Sequence, residues 1–394
     1  MPVVLIVAVL SLVSAIEPSP SAGGSTSDRP KPPAAAPAAE DFVSLFNGLD
    51  LAGWRIVDGQ EDAFKVRKGV LEFTTLGGYP TWLCSERTYE NYVLRLEYKG
   101  PKHSQTGLLL HAPPHGKAGD VGIRIQLGDD VADGAKALPS GSITGVRHAS
   151  VIATGDFNRW NTVEVVVDWP VLQVRINDQL VQDVNCAADQ ELRYRHRVGY
   201  IGFQDLGTRL SLRNIRIREL PPREESQWLS LFNGRDLTGW KIIGSPCWEV
   251  EDGVLHGRTT GTGYLVSERE FENFELRAYV RTSRHANSGI FYRWKSLVPP
   301  DRGYEVQILN IPDVSNPTGS IYGHMRADPL AATDGAWFPI QIIAEGPRTV
   351  VRVNGKTCTV AENLAIVRPG AIALQMHDRR SAIEFKDIRI RPLP

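Results

Sequence analysis

Glu305, Gln307, Gln375 and His377 bring together a carboxylate, two carboxamides and an imidazole, the groups that acid–base chemistry on a polar ligand requires. Gly303-Tyr304-Glu305-Val306-Gln307-Ile308-Leu309 alternates apolar and polar residues over a strand length, so Glu305 and Gln307 share one face and Tyr304, Val306 and Ile308 the other. Ala371-Ile372-Ala373-Leu374-Gln375-Met376-His377 gives Gln375 and His377 a face floored by small residues. In Asn287-Ser288-Gly289-Ile290-Phe291-Tyr292-Arg293, alternation aligns Asn287, Gly289, Phe291 and Arg293. A strand glycine marks a close approach, here room for a ligand beside Asn287. Arg293 is the nearest cation to pair with Glu305. Thr318-Gly319-Ser320-Ile321-Tyr322-Gly323-His324 is a glycine-punctuated connection that offers Tyr322 and His324 as a wall. An ordinary histidine titrates near pH ~6.5, so His377 can take or give a proton at neutral pH. Asp378 orients it only if the chain turns there. The expectation is one hollow on which Glu305 and His377 converge. Glu305, His324, His377 and Asp378 also offer ligands for a divalent metal, although no spacing enforces one. No nucleophile elbow, phosphate loop or zinc-protease helix motif occurs.

The elements that position these groups occur twice. Phe42-Val43-Ser44-Leu45-Phe46-Asn47-Gly48-Leu49-Asp50-Leu51-Ala52-Gly53-Trp54 returns as Trp228-Leu229-Ser230-Leu231-Phe232-Asn233-Gly234-Arg235-Asp236-Leu237-Thr238-Gly239-Trp240. Further echoes follow in order: Ser85-Glu86-Arg87 with Ser267-Glu268-Arg269, Gly141-Ser142-Ile143 with Gly319-Ser320-Ile321, and Asn214-Ile215-Arg216-Ile217 with Asp387-Ile388-Arg389-Ile390. A repeat of this length is a duplicated domain, at 41–220 and 228–394 with a linker at 221–227. Both copies read as short alternating strands, with Asn354-Gly355 and the weaker Asn177-Asp178 as hairpin turns. The fold class expected is all-β, two tandem sandwiches of about ten strands each. In the first copy Arg124 stands for Glu305, Gln105 for Asn287, His111 or a neighbour for Arg293, Gln204 for Gln375 and Leu206 for His377. Both proton-transfer candidates are thereby lost.

The 394 residues carry a formal charge of -1 with 36 glycines and 26 prolines, which suits turn-rich sandwiches and gives nucleic acid no basic field to bind. Residues 1–15 resemble a secretory signal ending in Val13-Ser14-Ala15, against the alternatives of a mis-assigned start or a short anchor. Residues 16–40, rich in Pro, Ala and Ser, read as a disordered linker. Location in the periplasm, envelope or medium follows from the leader. The four cysteines fit either bridges within each copy, Cys84 to Cys186 and Cys247 to Cys358, or four buried thiols. Oligomeric state is not legible.

Phe232-Asn233-Gly234-Arg235-Asp236-Leu237-Thr238-Gly239-Trp240, Asp252-Gly253-Val254-Leu255, Asn287-Ser288-Gly289-Ile290-Phe291, Gly303 to Leu309, Thr318 to Gly323 and Phe385-Lys386-Asp387-Ile388-Arg389-Ile390 together resemble the 3-keto-disaccharide hydrolase family. The resemblance covers the whole second copy and, more faintly, the first. It implies a concanavalin-A-like jelly roll with a carbohydrate pocket on its concave face, lined by Asn287, Arg293, Glu305, Gln307, Gln375 and His377. It also implies cleavage of glycosidic bonds in sugars oxidised at C3. The ketone acidifies the C2 proton, a base removes it, and the C1 substituent is expelled before water adds. Glu305 or His377 is the implied base, the other supporting acid catalysis, with Arg293, Asn287 or Gln307 on the enolate oxygen. No nicotinamide is needed, and a metal at the enolate stays open. Trp337-Phe338-Pro339 and Gly370-Ala371 depart from the family pattern in ways expected to reshape the pocket mouth. A non-catalytic pair of lectin-like sandwiches and a structural envelope protein are the alternatives.

Overall fold

The computed structural model describes residues 42–128, 138–223, 227–245, 248–258, 261–378 and 380–394. The proposed leader and first linker, and Cys247, lie outside these. Each copy is a sandwich of an eight-stranded and a five-stranded antiparallel sheet, the tandem sandwiches that the alternation predicts and the concanavalin-A-like jelly rolls that the family resemblance implies. The five-stranded sheet of the second copy runs Trp240–Gly244, Gly263–Phe271, Gly370–Met376, Ser288–Trp294, Tyr304–Ile308. Its counterpart in the first runs Trp54–Val57, Trp82–Tyr89, Gly199–Asp205, Gln105–Ala112, Ile123–Gly128.

Local chemistry explains the motifs the copies share. In the second copy the Asn233 Oδ1 accepts the amides of Arg235 (2.8 Å) and Asp236 (3.0 Å), and the Asp236 Oδ1 accepts the Asn233 amide group (2.7 Å) and the Thr238 N–H (2.9 Å). Trp240 then inserts into the core and donates its indole N–H to the Leu231 carbonyl at 2.7 Å. Asn47, Asp50 and Trp54 repeat these bonds, so the most conspicuous repeated motif is a fold staple. Asn354 and Gly355 sit at φ 48 and 76, and Asn177 and Asp178 at φ 47 and 67, the left-handed pair a two-residue hairpin turn needs.

Each sandwich has its own apolar core between its sheets. Cys84 lies on the outer face of the first five-stranded sheet and Cys186 in the core on its other side, so of the two alternatives the bridge between them does not form. Cys84, Cys186 and Cys358 are buried free thiols, the first two pushed up to about 12 by burial.

Loops of the first copy rest on the outer face of the second copy's large sheet. The Lys117 N–H donates to Asn354 Oδ1 (3.3 Å), the Gln341 side chain to the Tyr194 carbonyl (3.1 Å), and Arg348 to the Tyr194 hydroxyl (3.1 Å). Arg352 and Lys356 reach Glu191 (3.4 Å) and Asp120 (3.7 Å). Trp337, expected to reshape the pocket mouth, belongs to this contact instead: its ring lies beside His115 (6.2 Å) and under Lys386 (4.2 Å).

Candidate functional site

The strands that carry the polar set have no solvent face. Tyr304–Ile308, Ser288–Trp294 and Gly370–Met376 are buried at every position. One side of each packs into the core through Tyr304, Val306, Ile308, Ile290, Tyr292, Ile372, Leu374 and Met376. The other side gathers Tyr264, Val266, Phe291, Ala371 and Ala373 into a small apolar floor. Glu305, Gln307 and Gln375 stand on that side.

Pairing fixes their arrangement. One row across the sheet is Gln307, Gly289, Gln375, Tyr264. The next is Glu305, Phe291, Ala373, Val266. The space above Gly289 is filled by Glu305: any β-carbon there would strike the Glu305 carboxylate. The strand glycine thus admits a protein side chain, where room for a ligand was expected.

Arg302, which the alternation gave no reason to single out, roofs this face. Its guanidinium lies 4.9 Å from the Phe291 ring centre and donates to the Tyr264 hydroxyl at 3.3 Å. It therefore crosses two strands and screens Glu305 from water. Gly303, at φ 69, makes the crossing: a side chain there would strike the backbone of Tyr292 and Arg293. Arg368 holds the preceding loop through Asp301 at 2.9 Å.

Burial pushes the Glu305 carboxyl up to about 7, although the Arg302 charge pulls the other way. Glu305 makes no side-chain hydrogen bond among the described residues, and no ion pair with Arg302 forms. Two more polar groups wait on the same face. Arg302 Nε and Gln375 Oε1 are buried without a partner among the described residues. A buried donor, a buried acceptor and a carboxyl poised near neutrality suit a ligand that carries hydroxyl and carbonyl groups.

Arg293 is not on this face. The strand bulges there, with Arg293 at φ 57 and the register to Gly370–Met376 shifting between Phe291 and Trp294. The side chain turns inward, fully buried, and donates to the carbonyls of Glu272 (3.1 Å), Ile366 (2.7 Å) and Gly346 (2.7 Å). Its expected pairing with Glu305 and contact with substrate are replaced by a structural clamp.

Asn287 joins the site through Gln307, whose side-chain N–H donates to Asn287 Oδ1 at 2.7 Å. His377 lies just past the strand end, half-exposed at 51%. The chain does turn there: Asp378 Oδ1 accepts the N–H groups of Arg380 (2.8 Å) and Ser381 (3.1 Å). Asp378 Oδ2 is 3.6 Å from His377 Nδ1, and the Asn287 N–H donates to the Ser381 hydroxyl at 2.9 Å. His377 follows Ala373 by four residues, roughly 14 Å along the strand direction from the Glu305 row. The two groups edge one face rather than meet at a point. The Tyr322 N–H donates to the Glu305 carbonyl (2.9 Å) and its ring is exposed at the rim. The His324 ring instead meets Tyr304 edge-on at 5.1 Å, and Tyr304 points into the core. Among the described residues no three His, Cys, Asp or Glu side chains gather as a metal-ligand cluster, so the four suggested ligands are dispersed.

Fold and sequence together define a twice-built jelly-roll sandwich with a buried carboxyl on a sheltered sheet face. The family model of the 3-keto-alpha-glucoside-1,2-lyase-like domain matches residues 41–218 and again 227–391, and the chain belongs to this family. A 3-keto-disaccharide hydrolase of Bacteroides thetaiotaomicron is 28% identical over 93 residues, 21% of this chain and 32% of that protein. The match thus spans about a third of the relative. Among solved structures, a protein of Parabacteroides distasonis named for a glycosyl hydrolase aligns at 21% identity and TM-score 0.42, over 46% of this chain and 95% of its own. The carbohydrate-binding module CBM66 of Bacillus subtilis aligns at 15% identity and TM-score 0.31, over 39% and 96%.

Proposed function

We propose that the second sandwich cleaves the glycosidic bond of a 3-keto-glycoside or 3-keto-disaccharide by elimination across C1 and C2. The observation that carries this reading is the Glu305 carboxyl, laid over Gly289 under Arg302 and held near pH 7 by burial. Glu305 in its ionised form takes the C2 proton, which the neighbouring ketone has acidified. The C–H electron pair forms the C1–C2 double bond. The C1–O bond breaks with its electrons on the leaving oxygen, which takes up a proton. Arg302, with an N–H left over, offsets the charge that grows on the ketone oxygen, a role the inward turn of Arg293 denies to that residue. Gln375, Gln307 and Asn287 bind sugar hydroxyls, and Tyr322 borders the entrance. In this reading the leaving sugar of a disaccharide extends toward His377, which has Asp378 at 3.6 Å beside it and protonates the departing oxygen. Water then adds across the double bond to complete hydrolysis.

The test is incubation of the full chain with a 3-keto-disaccharide in heavy water, following both free sugar and deuterium at C2. Release of sugar with deuterium at C2, both lost in Glu305→Gln, is the expected result. Undiminished release by Glu305→Gln would sink the assignment. We also propose export directed by residues 1–15, to be checked by sequencing the amino terminus of the mature protein.

A further inference from the structure

The first sandwich repeats the Glu305 face with its central charge reversed. Its row Arg55, Cys84, Gly202, Leu109, Arg124 corresponds strand by strand to Lys241, Val266, Ala373, Phe291, Glu305. The next row, Trp82, Gln204, Gly107, Gln126, corresponds to Tyr264, Gln375, Gly289, Gln307. Arg124 folds over Gly107 as Glu305 folds over Gly289.

Arg124 differs from Arg293 in what it leaves open. Its Nη1 donates to Gln204 Oε1 at 2.9 Å, and no acceptor among the described residues meets its Nε and Nη2. That edge is the two-donor fork that matches a carboxylate. The side chain is half-buried, with the short helix Ala118–Val121 along its flank, so the fork is held in place and partly desolvated. Asp120 of that helix acts on Arg124 but also faces Lys356 of the second copy at 3.7 Å. Gln126 donates to Gln105 at 3.3 Å, which extends the line of carboxamides away from Arg124. Tyr79, 66% exposed, is near enough for its phenol to act on the Arg124 charge, and it presents an open ring face.

We propose that this face of the first sandwich binds a sugar acid: Arg124 grips the carboxylate through Nε and Nη2, Gln204 and Gln126 read hydroxyls, and Tyr79 stacks on the ring. No carboxylate or imidazole stands on either row, so the ligand is held without turnover. This site is separate from the Glu305 chemistry and is tested without it.

The intact protein is titrated calorimetrically with D-glucuronate, D-glucose and acetate at low and high salt. Glucuronate is expected to bind about tenfold or more tightly than either control, as a charged hydrogen-bonded pair warrants, and to weaken with salt. Arg124→Gln removes that preference and Arg124→Lys, which lacks the fork, restores it only in part. Tyr79→Ala, at an exposed position that leaves folding intact, weakens glucuronate severalfold. Acetate binding as tightly as glucuronate removes the sugar from the proposal. Glucose binding equally removes the acid. Glucuronate affinity unchanged in both Arg124→Gln and Tyr79→Ala overturns the site altogether.

Discussion

At the bulge that follows Gly289 the second sandwich carries Arg293, and at the bulge that follows Gly107 the first carries His111, at φ 57 and 52. Both side chains turn inward and meet the carbonyl of the same hairpin, Glu272 in one and Glu90 in the other. The His111 ring nitrogens face the carbonyls of Glu90 (2.6 Å) and His196 (3.1 Å), and burial pushes its pKa down to about 4. Four residues earlier along the same strands, the glycines admit Glu305 in one copy and Arg124 in the other. Duplication thus kept the scaffold positions equivalent in role and let the face position reverse its charge. A residue conspicuous for its charge, Arg293, is scaffold, while the reversed charge sits over a glycine.

The sharpest break between the copies is Glu305. Glu305→Gln should lower kcat on a 3-keto-disaccharide by about 10³-fold, within the range of a lost general base, and wild-type kcat/KM should climb with pH through about 7. The same carboxyl sets a stability trend. Its folded value lies above the ordinary 4.5, so its contribution is full below pH 4.5 and is lost as pH rises through about 7. Glu305→Gln should therefore gain roughly 3 kcal/mol over wild type at pH 8 and little at pH 4, read from urea unfolding. Arg293→Met should cost about 3 kcal/mol by orphaning three buried carbonyls, whereas His111→Leu should cost nearer ~1 kcal/mol because a neutral ring has one N–H to give. No loss of stability at one of the two positions would undo the view of them as one scaffold site. Arg302→Met should reduce kcat about 10²-fold with little change in KM, and Gly107→Ala should leave turnover as it is.

Much of this was legible in the chain. The motif around Asn233 and its echo around Asn47 announce two domains, because a side-chain-stapled turn needs its Asn, Asp and Gly at fixed offsets. The two-residue period of Tyr304 to Ile308 correctly sets Glu305 and Gln307 apart from the core. The same period fails at Arg293, since one residue in a left-handed conformation reverses every later side chain. It fails again at His377, where the ladder ends at Met376 and the chain turns through Asp378. Arg302 was invisible because it belongs to a loop, and only the crossing at Gly303 brings it over Phe291. The bridge between Cys84 and Cys186 was refuted by which side of a sheet each occupies.

The contact between the sandwiches gives the first copy a structural part to play in the second. Glu275, fully enclosed, answers Arg277, Arg391 and Gln341 on a sheet surface that Tyr194 and its loop cover. Cut away residues 42–220 and that surface faces solvent, while Gln341 and Arg348 lose Tyr194 and Arg352 loses Glu191. The second half has in this sense outsourced one of its walls to the first.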